Sequence, residues 1–197
     1  KELNGMPQTS LPPSQEGVTK QVKLWLETIV VGLNLCPFAK RELVKDRIRF
    51  FVSAATNEEM LLSDLEAELE RLDRDTSIET TLIIHPQVLA DFFDYQQFLI
   101  WAGQVLKRMG FRGVFQIASF HPDYQFLNSL KQAPGNYTNR SPYPMLHLLR
   151  EDSLANAIAN YPDTRKIPER NIAHLESLGH EQLHALFSTV GQHSETP

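Results

Sequence analysis

The chain has 197 residues, a formal net charge of −5, 42% hydrophobic and 22% charged residues, the balance of an ordinary globular protein long enough to bury a sizeable core. An acidic balance without a basic block gives nucleic acid no electrostatic footing, and no apolar run is long enough to cross a bilayer. The single cysteine, Cys36, forms no internal disulfide and fits a reducing compartment, so a cytoplasmic protein is expected.

Residues 1–15 are polar and proline-containing, with no apolar stretch of a signal peptide, and read as a disordered tail. Residues 16–190 read as one α/β domain and residues 191–197 as a frayed tail. Val18, Val22, Trp25, Ile29 and Leu33 recur at helical spacing and predict a first amphipathic helix. Residues 48–54 read as strand one. Thr56 with Glu59 fits a capping box, and Leu61, Leu65, Leu69 and Leu72 line the helix that follows. Its other face, with Asp64, Glu66, Glu68 and Glu70, reads as solvated. Residues 80–85 read as strand two, stopped by Pro86. Val88, Phe92, Tyr95, Leu99, Ala102, Leu106 and Met109 mark a long helix ending at Gly110. Residues 114–120 read as strand three.

Residues 121–144 are irregular and proline-rich, which marks a functional or disordered loop. Residues 145–150 are a fourth strand or the start of a helix. Helices are expected from Asp152-Ser153 to before Pro162, from Ile167 to Gly179, and around Leu183 to Phe187. Strand-helix-strand-helix-strand is the order of two crossovers, so a small, mainly parallel sheet flanked by helices is expected. An α+β ferredoxin-like sandwich is the alternative if the fourth strand pairs antiparallel.

Cys36 precedes Pro37, which ends the first helix and suits the start of a second, residues 38–44. A thiol at that N-cap faces free backbone N–H groups, with Lys40 and Arg41 one turn on, and this favours a thiolate. The alternative is a buried cysteine filling a helix corner. Strand two ends Ile84-His85-Pro86 and strand three Phe120-His121-Pro122. If the strands are parallel, both histidines leave one carboxyl edge, where open α/β sheets bind ligands. Asp123, Tyr124 and Arg140 come to that edge on the long loop, and His147 approaches from the next element. His85 and His121 lie too far apart in sequence to make a local chelate pair. Cys36, His85 and His121 together are a chemically sensible zinc site.

Asn34-Leu35-Cys36-Pro37-Phe38-Ala39, Ile84-His85-Pro86, Ser119-Phe120-His121-Pro122 and Asn139-Arg140-Ser141-Pro142-Tyr143-Pro144 together resemble the bacterial family catalogued as domain of unknown function 1415. The resemblance spans the chain from the first helix to about Gly179 and implies no activity. Cys-Pro-Phe-Ala is also similar to the active-site corner of some omega-class glutathione transferases. There a strand leads into the cysteine, whereas here a helix does.

The resulting expectation is an enzyme acting on a small anionic substrate by hydrolysis or group transfer. Cys36 is its nucleophile, His85 and His121 its acid and base, and Arg140, Tyr124 and Asp123 its substrate contacts. The alternatives are a zinc site on Cys36, His85 and His121, or a non-catalytic ligand-binding or scaffold protein. No nucleic-acid or membrane partner is expected.

Overall fold

The structure, a computed structural model, describes residues 13–161 and 163–192. The proposed tails therefore lie largely outside the described residues. Ser14 caps α1 (Gln15–Trp25) by accepting from the Gly17 N–H. The chain then widens into a π-helical stretch, Leu26–Val31. Gly32 is needed there, because a Cβ would stand 2.2 Å from the Thr28 carbonyl oxygen. The remaining elements are α2 (Ala39–Val44), β1 (Ile48–Val52), α3 (Glu58–Arg74), β2 (Thr80–Ile84), α4 (Phe92–Arg108), β3 (Phe115–Phe120), β4 (Met145–Arg150), α5 (Glu151–Asn160) and α6 (Ile167–Gln192). Gly179, at φ 77°, breaks α6 into two helical pieces, which removes the N–H-to-carbonyl continuity a single helix needs.

The sheet is mixed, in the order β1-β2-β4-β3. β1 and β2 are parallel, but β4 pairs antiparallel with both β2 and β3. The expectation of a mainly parallel sheet is therefore corrected: the chain returns through the 121–144 loop and inserts β4 between β2 and β3. That loop turns β4 around without a crossover helix, so its pairings must be antiparallel. A ferredoxin-like sandwich does not form either, because its strand-helix-strand-strand-helix-strand order differs from the order here.

Strand parity divides the core into two layers. Phe50, Leu82, Ile84, Met145 and Phe120 face α1, with α6 completing that layer. Phe51, Ile83, Leu146, Leu148 and Ile117 face α3 and α4. Local signals shift where tertiary contacts prevail. Asn57, a stronger cap than Thr56, accepts from the Met60 N–H and starts α3. The acidic face of α3 is not wholly solvated. Glu68 is buried and paired through both oxygens with Arg49 of β1, at 2.6 and 2.9 Å. Asp64 accepts from the Ser53 hydroxyl at 2.5 Å.

The long loop is ordered by its own polar groups. Asn136 is fully buried; its Oδ1 accepts from the Phe126 N–H and its Nδ2 donates to the Leu130 carbonyl. The indole N–H of Trp25 reaches across from α1 to the Arg140 carbonyl at 3.1 Å. Every such bond removes a buried orphan group that would cost about 1–3 kcal/mol if left alone.

Candidate functional site

A cavity of about 240 Å³ lies between the α1 side of the sheet and α2 and α5. Trp25, Leu26, Val30, Phe38, Leu82, Phe120 and Leu154 make its apolar wall, and Cys36, Thr80 and His147 bring polar atoms to it. α5 covers the cavity with no buried residue of its own, held at its end by the edge-to-face contact of Phe38 with Tyr161, 5.6 Å between centroids.

His147 occupies the middle of β4, opposite Leu82 on one side and Ala118 on the other. The Thr80 hydroxyl donates its only proton to the Leu148 carbonyl at 2.5 Å. It must therefore accept at its 2.6 Å contact with His147 Nε2, so the imidazole carries its proton on Nε2. Nδ1 has no partner among the described residues, and the half-buried ring lines the cavity. Burial lowers the His147 pKa to about 4, which keeps the ring neutral near pH 7.

Cys36 shows opposed influences. The N–H groups of Phe38 and Ala39 draw its pKa down, as the helix-start reading anticipates, but burial pushes it up and prevails. The first residue of α2 is Ala39, with Phe38 as its cap, so Cys36 stands two residues before the N-cap and not at it. Iodoacetamide labelling of folded protein is expected to be slow, with a half-point above the free-thiol value of about 8.5. A half-point below that value would show that the N–H groups outweigh burial.

Most charges at the polar end of the cavity are engaged, although the buried Glu42 Oε2 takes no hydrogen bond among the described residues. Arg41 donates to Glu42 at 2.6 Å, Arg47 lies 3.5 Å from Glu42 and also pairs with Glu79. Arg150 donates to the carbonyls of Leu72, Asp75 and Ile78, clamping the turn before β2.

His85 and His121 stand elsewhere. β2 and β3 run in the same direction with β4 between them, so both histidines do leave one edge. They face α4, however, not α1, because each follows a residue of the α1 layer, Ile84 or Phe120, and side chains alternate. Both rings are fully buried against Tyr95, at 5.9 and 5.1 Å between centroids. His85 Nδ1 donates to the Val88 carbonyl at 3.0 Å. His121 accepts the Asp123 N–H on Nδ1 and donates from Nε2 to the Leu89 carbonyl at 3.1 Å. The two histidines thus pin one loop, in which Leu89 is held at φ 61°, a region costly for a leucine. His85 Nε2 is buried and has no partner among the described residues. Burial, and then the neighbouring His121, lower the His85 pKa to about 4; burial lowers that of His121 as well.

The expected constellation is therefore divided by the sheet: Cys36 lies with His147 on one side, and His85 lies with His121 on the other. Among the described residues no group of three His, Cys, Asp or Glu side chains could hold a metal, so Cys36, His85 and His121 form no zinc site here. The expected substrate contacts bond the loop itself. Arg140 is buried, donating to the Tyr124 and Lys131 carbonyls at 3.2 and 2.5 Å, with its guanidinium 4.5 Å from the Tyr137 ring centre. Tyr124 packs on Phe92 and Phe126.

A family model matches residues 17–185. The chain belongs to the family described as Protein of unknown function (DUF1415). The matched span includes both sides of the sheet, Cys36 and His147 as well as His85 and His121. No curated protein and no solved structure matches the chain. No helix among the described residues is long and apolar enough to cross a membrane.

Sequence reading gave His147 a passing role and missed Thr80. Its usable signal was a histidine amid Met145-Leu146-His147-Leu148-Leu149, a polar residue in a strand otherwise apolar on both faces. Reading also passed over His180-Glu181-Gln182-Leu183-His184, a local pair at one-turn spacing.

Proposed function

We propose that this protein binds a small, mainly apolar molecule in the cavity of Cys36 and His147, oriented by one hydrogen bond donated to His147 Nδ1. The observation that carries this reading is His147 Nδ1, which has no partner among the described residues and belongs to a ring on the wall that Trp25, Leu82 and Phe120 also line. An apolar cavity of roughly 150 Å³ accepts benzene, so about 240 Å³ suits one substituted ring or a short acyl chain. The anionic substrate of the sequence reading gives way to a neutral one, because the nearby arginines are engaged by carboxylates and carbonyls. Binding is favoured over transfer through a cysteine adduct, because burial holds the thiol protonated. The unpaired cysteine supports a reducing setting such as the cytoplasm.

The test compares phenol with toluene, which differ in the one donor. Trp25 lines the cavity, so its fluorescence, together with the His147 ring resonances, reports occupancy. Phenol is expected to bind about tenfold more tightly than toluene, the worth of one net hydrogen bond, and His147→Leu is expected to erase the difference. Equal binding of both by the wild type, or no perturbation by either, overturns the proposal.

A further inference from the structure

The second piece of α6 begins after the break at Gly179 with His180-Glu181-Gln182-Leu183-His184. Histidines four apart share one helix face, and His-Glu-x-x-His on a helix is the spacing by which two imidazoles grip one zinc ion. The rings are neighbours here, 6.0 Å between centroids. His184 is exposed and His180 partly so, which leaves the pair open to an ion from solvent.

A third donor stands beside them. The buried Tyr137, in the short 3₁₀ turn Pro134–Thr138, places its hydroxyl 3.4 Å from His180 Nδ1. That is too long for a strong O–H to N bond, so the imidazole nitrogen is not committed to it. The phenol is nevertheless fixed in place. Its ring meets Phe187 edge-on at 4.9 Å and carries the Arg140 guanidinium at 4.5 Å. A rigid oxygen donor and two neighbouring imidazoles are groups that suit a first-row divalent ion such as zinc or nickel.

We propose that His180, His184 and the Tyr137 hydroxyl form a binding site for a divalent transition-metal ion, with water completing its shell. Among the described residues no third His, Cys, Asp or Glu joins them. It lies on α6 and the 3₁₀ turn, apart from the cavity of Cys36 and His147, whose lining includes none of these residues.

The test is a calorimetric titration of full-length, untagged, chelator-treated protein with zinc chloride near neutral pH, with the histidine resonances followed in parallel by NMR. One ion per chain is expected, moving the His180 and His184 signals together. His184→Gln, at an exposed position that contributes little to packing, is expected to weaken binding at least tenfold, and Tyr137→Phe about threefold. His174→Gln, which alters an exposed histidine before the Gly179 break, is expected to change nothing and controls for nonspecific imidazole binding. Absence of saturable binding, wild-type affinity in His184→Gln, or an equal loss in His174→Gln overturns the site. Wild-type affinity in Tyr137→Phe overturns the three-donor arrangement.

Discussion

Lowering the pH from about 7 to about 5 is expected to cost this fold roughly 4 kcal/mol through two histidines alone. His85 is buried and His147 half-buried in the cavity wall, and both have pKa values lowered to about 4, against about 6.5 in an unfolded chain. Between those values the unfolded state binds protons that the native state refuses, so stability falls as pH falls. Above pH of about 6.5 both states hold neutral imidazole and no penalty applies. Near pH 5 each histidine contributes about 2 kcal/mol of destabilisation, and below about 4 the penalty levels off. His121 is shifted in the same direction and adds to the effect. Urea unfolding at several pH values in this window, where most carboxylates remain ionised, measures the slope. His85→Gln and His147→Gln are each expected to remove about 2 kcal/mol of the pH-dependent loss, whatever they do to stability at pH 7. A slope unchanged in both variants would mean that the rings are protonated, and therefore solvated, in the folded protein.

Tyr95→Phe is expected to destabilise the protein by about 3 kcal/mol. The hydroxyl is fully buried, donates to the Met145 carbonyl at 2.7 Å and accepts from the Phe120 N–H at 3.0 Å. Met145 and Phe120 are paired residues at one end of the β3–β4 ladder, so a side chain of α4 stands in for the bonds that the ladder no longer supplies there. Removing the oxygen orphans a buried donor and a buried acceptor at once, each worth about 1–3 kcal/mol. The ring also packs on both His85 and His121, so the variant should alter the titration of both. A loss below about 1 kcal/mol in urea unfolding would show that water replaces the hydroxyl.

The order of strands and helices from β1 to β3 was legible because it rests on local periodicity: apolar residues at helical spacing in α3 and α4, and β-branched and aromatic runs between them. The common edge of His85 and His121 was legible for the same reason, since two crossovers of one sense leave β2 and β3 aligned. Their orientation was not, because it needs the packing: Ile84 and Phe120 join the α1 layer, so the histidine after each faces α4. What no local pattern carries is the insertion of β4 between β2 and β3, because strand order is set by pairings across the loop of residues 121–144. That insertion placed His147 opposite Leu82, within reach of Thr80, and so made a site of a residue that sequence alone left at the margin. Desolvation was equally out of reach: whether N–H groups or burial governs the Cys36 thiol depends on how much of α5 and the sheet closes over it, and burial prevails. By itself the sequence determined the elements from β1 to β3, the two histidine-proline strand ends and the family, while it left residues 145–150 open between strand and helix. Only the tertiary structure decided which histidine meets Cys36, because the sheet is a partition and the side of it that a residue faces depends on register.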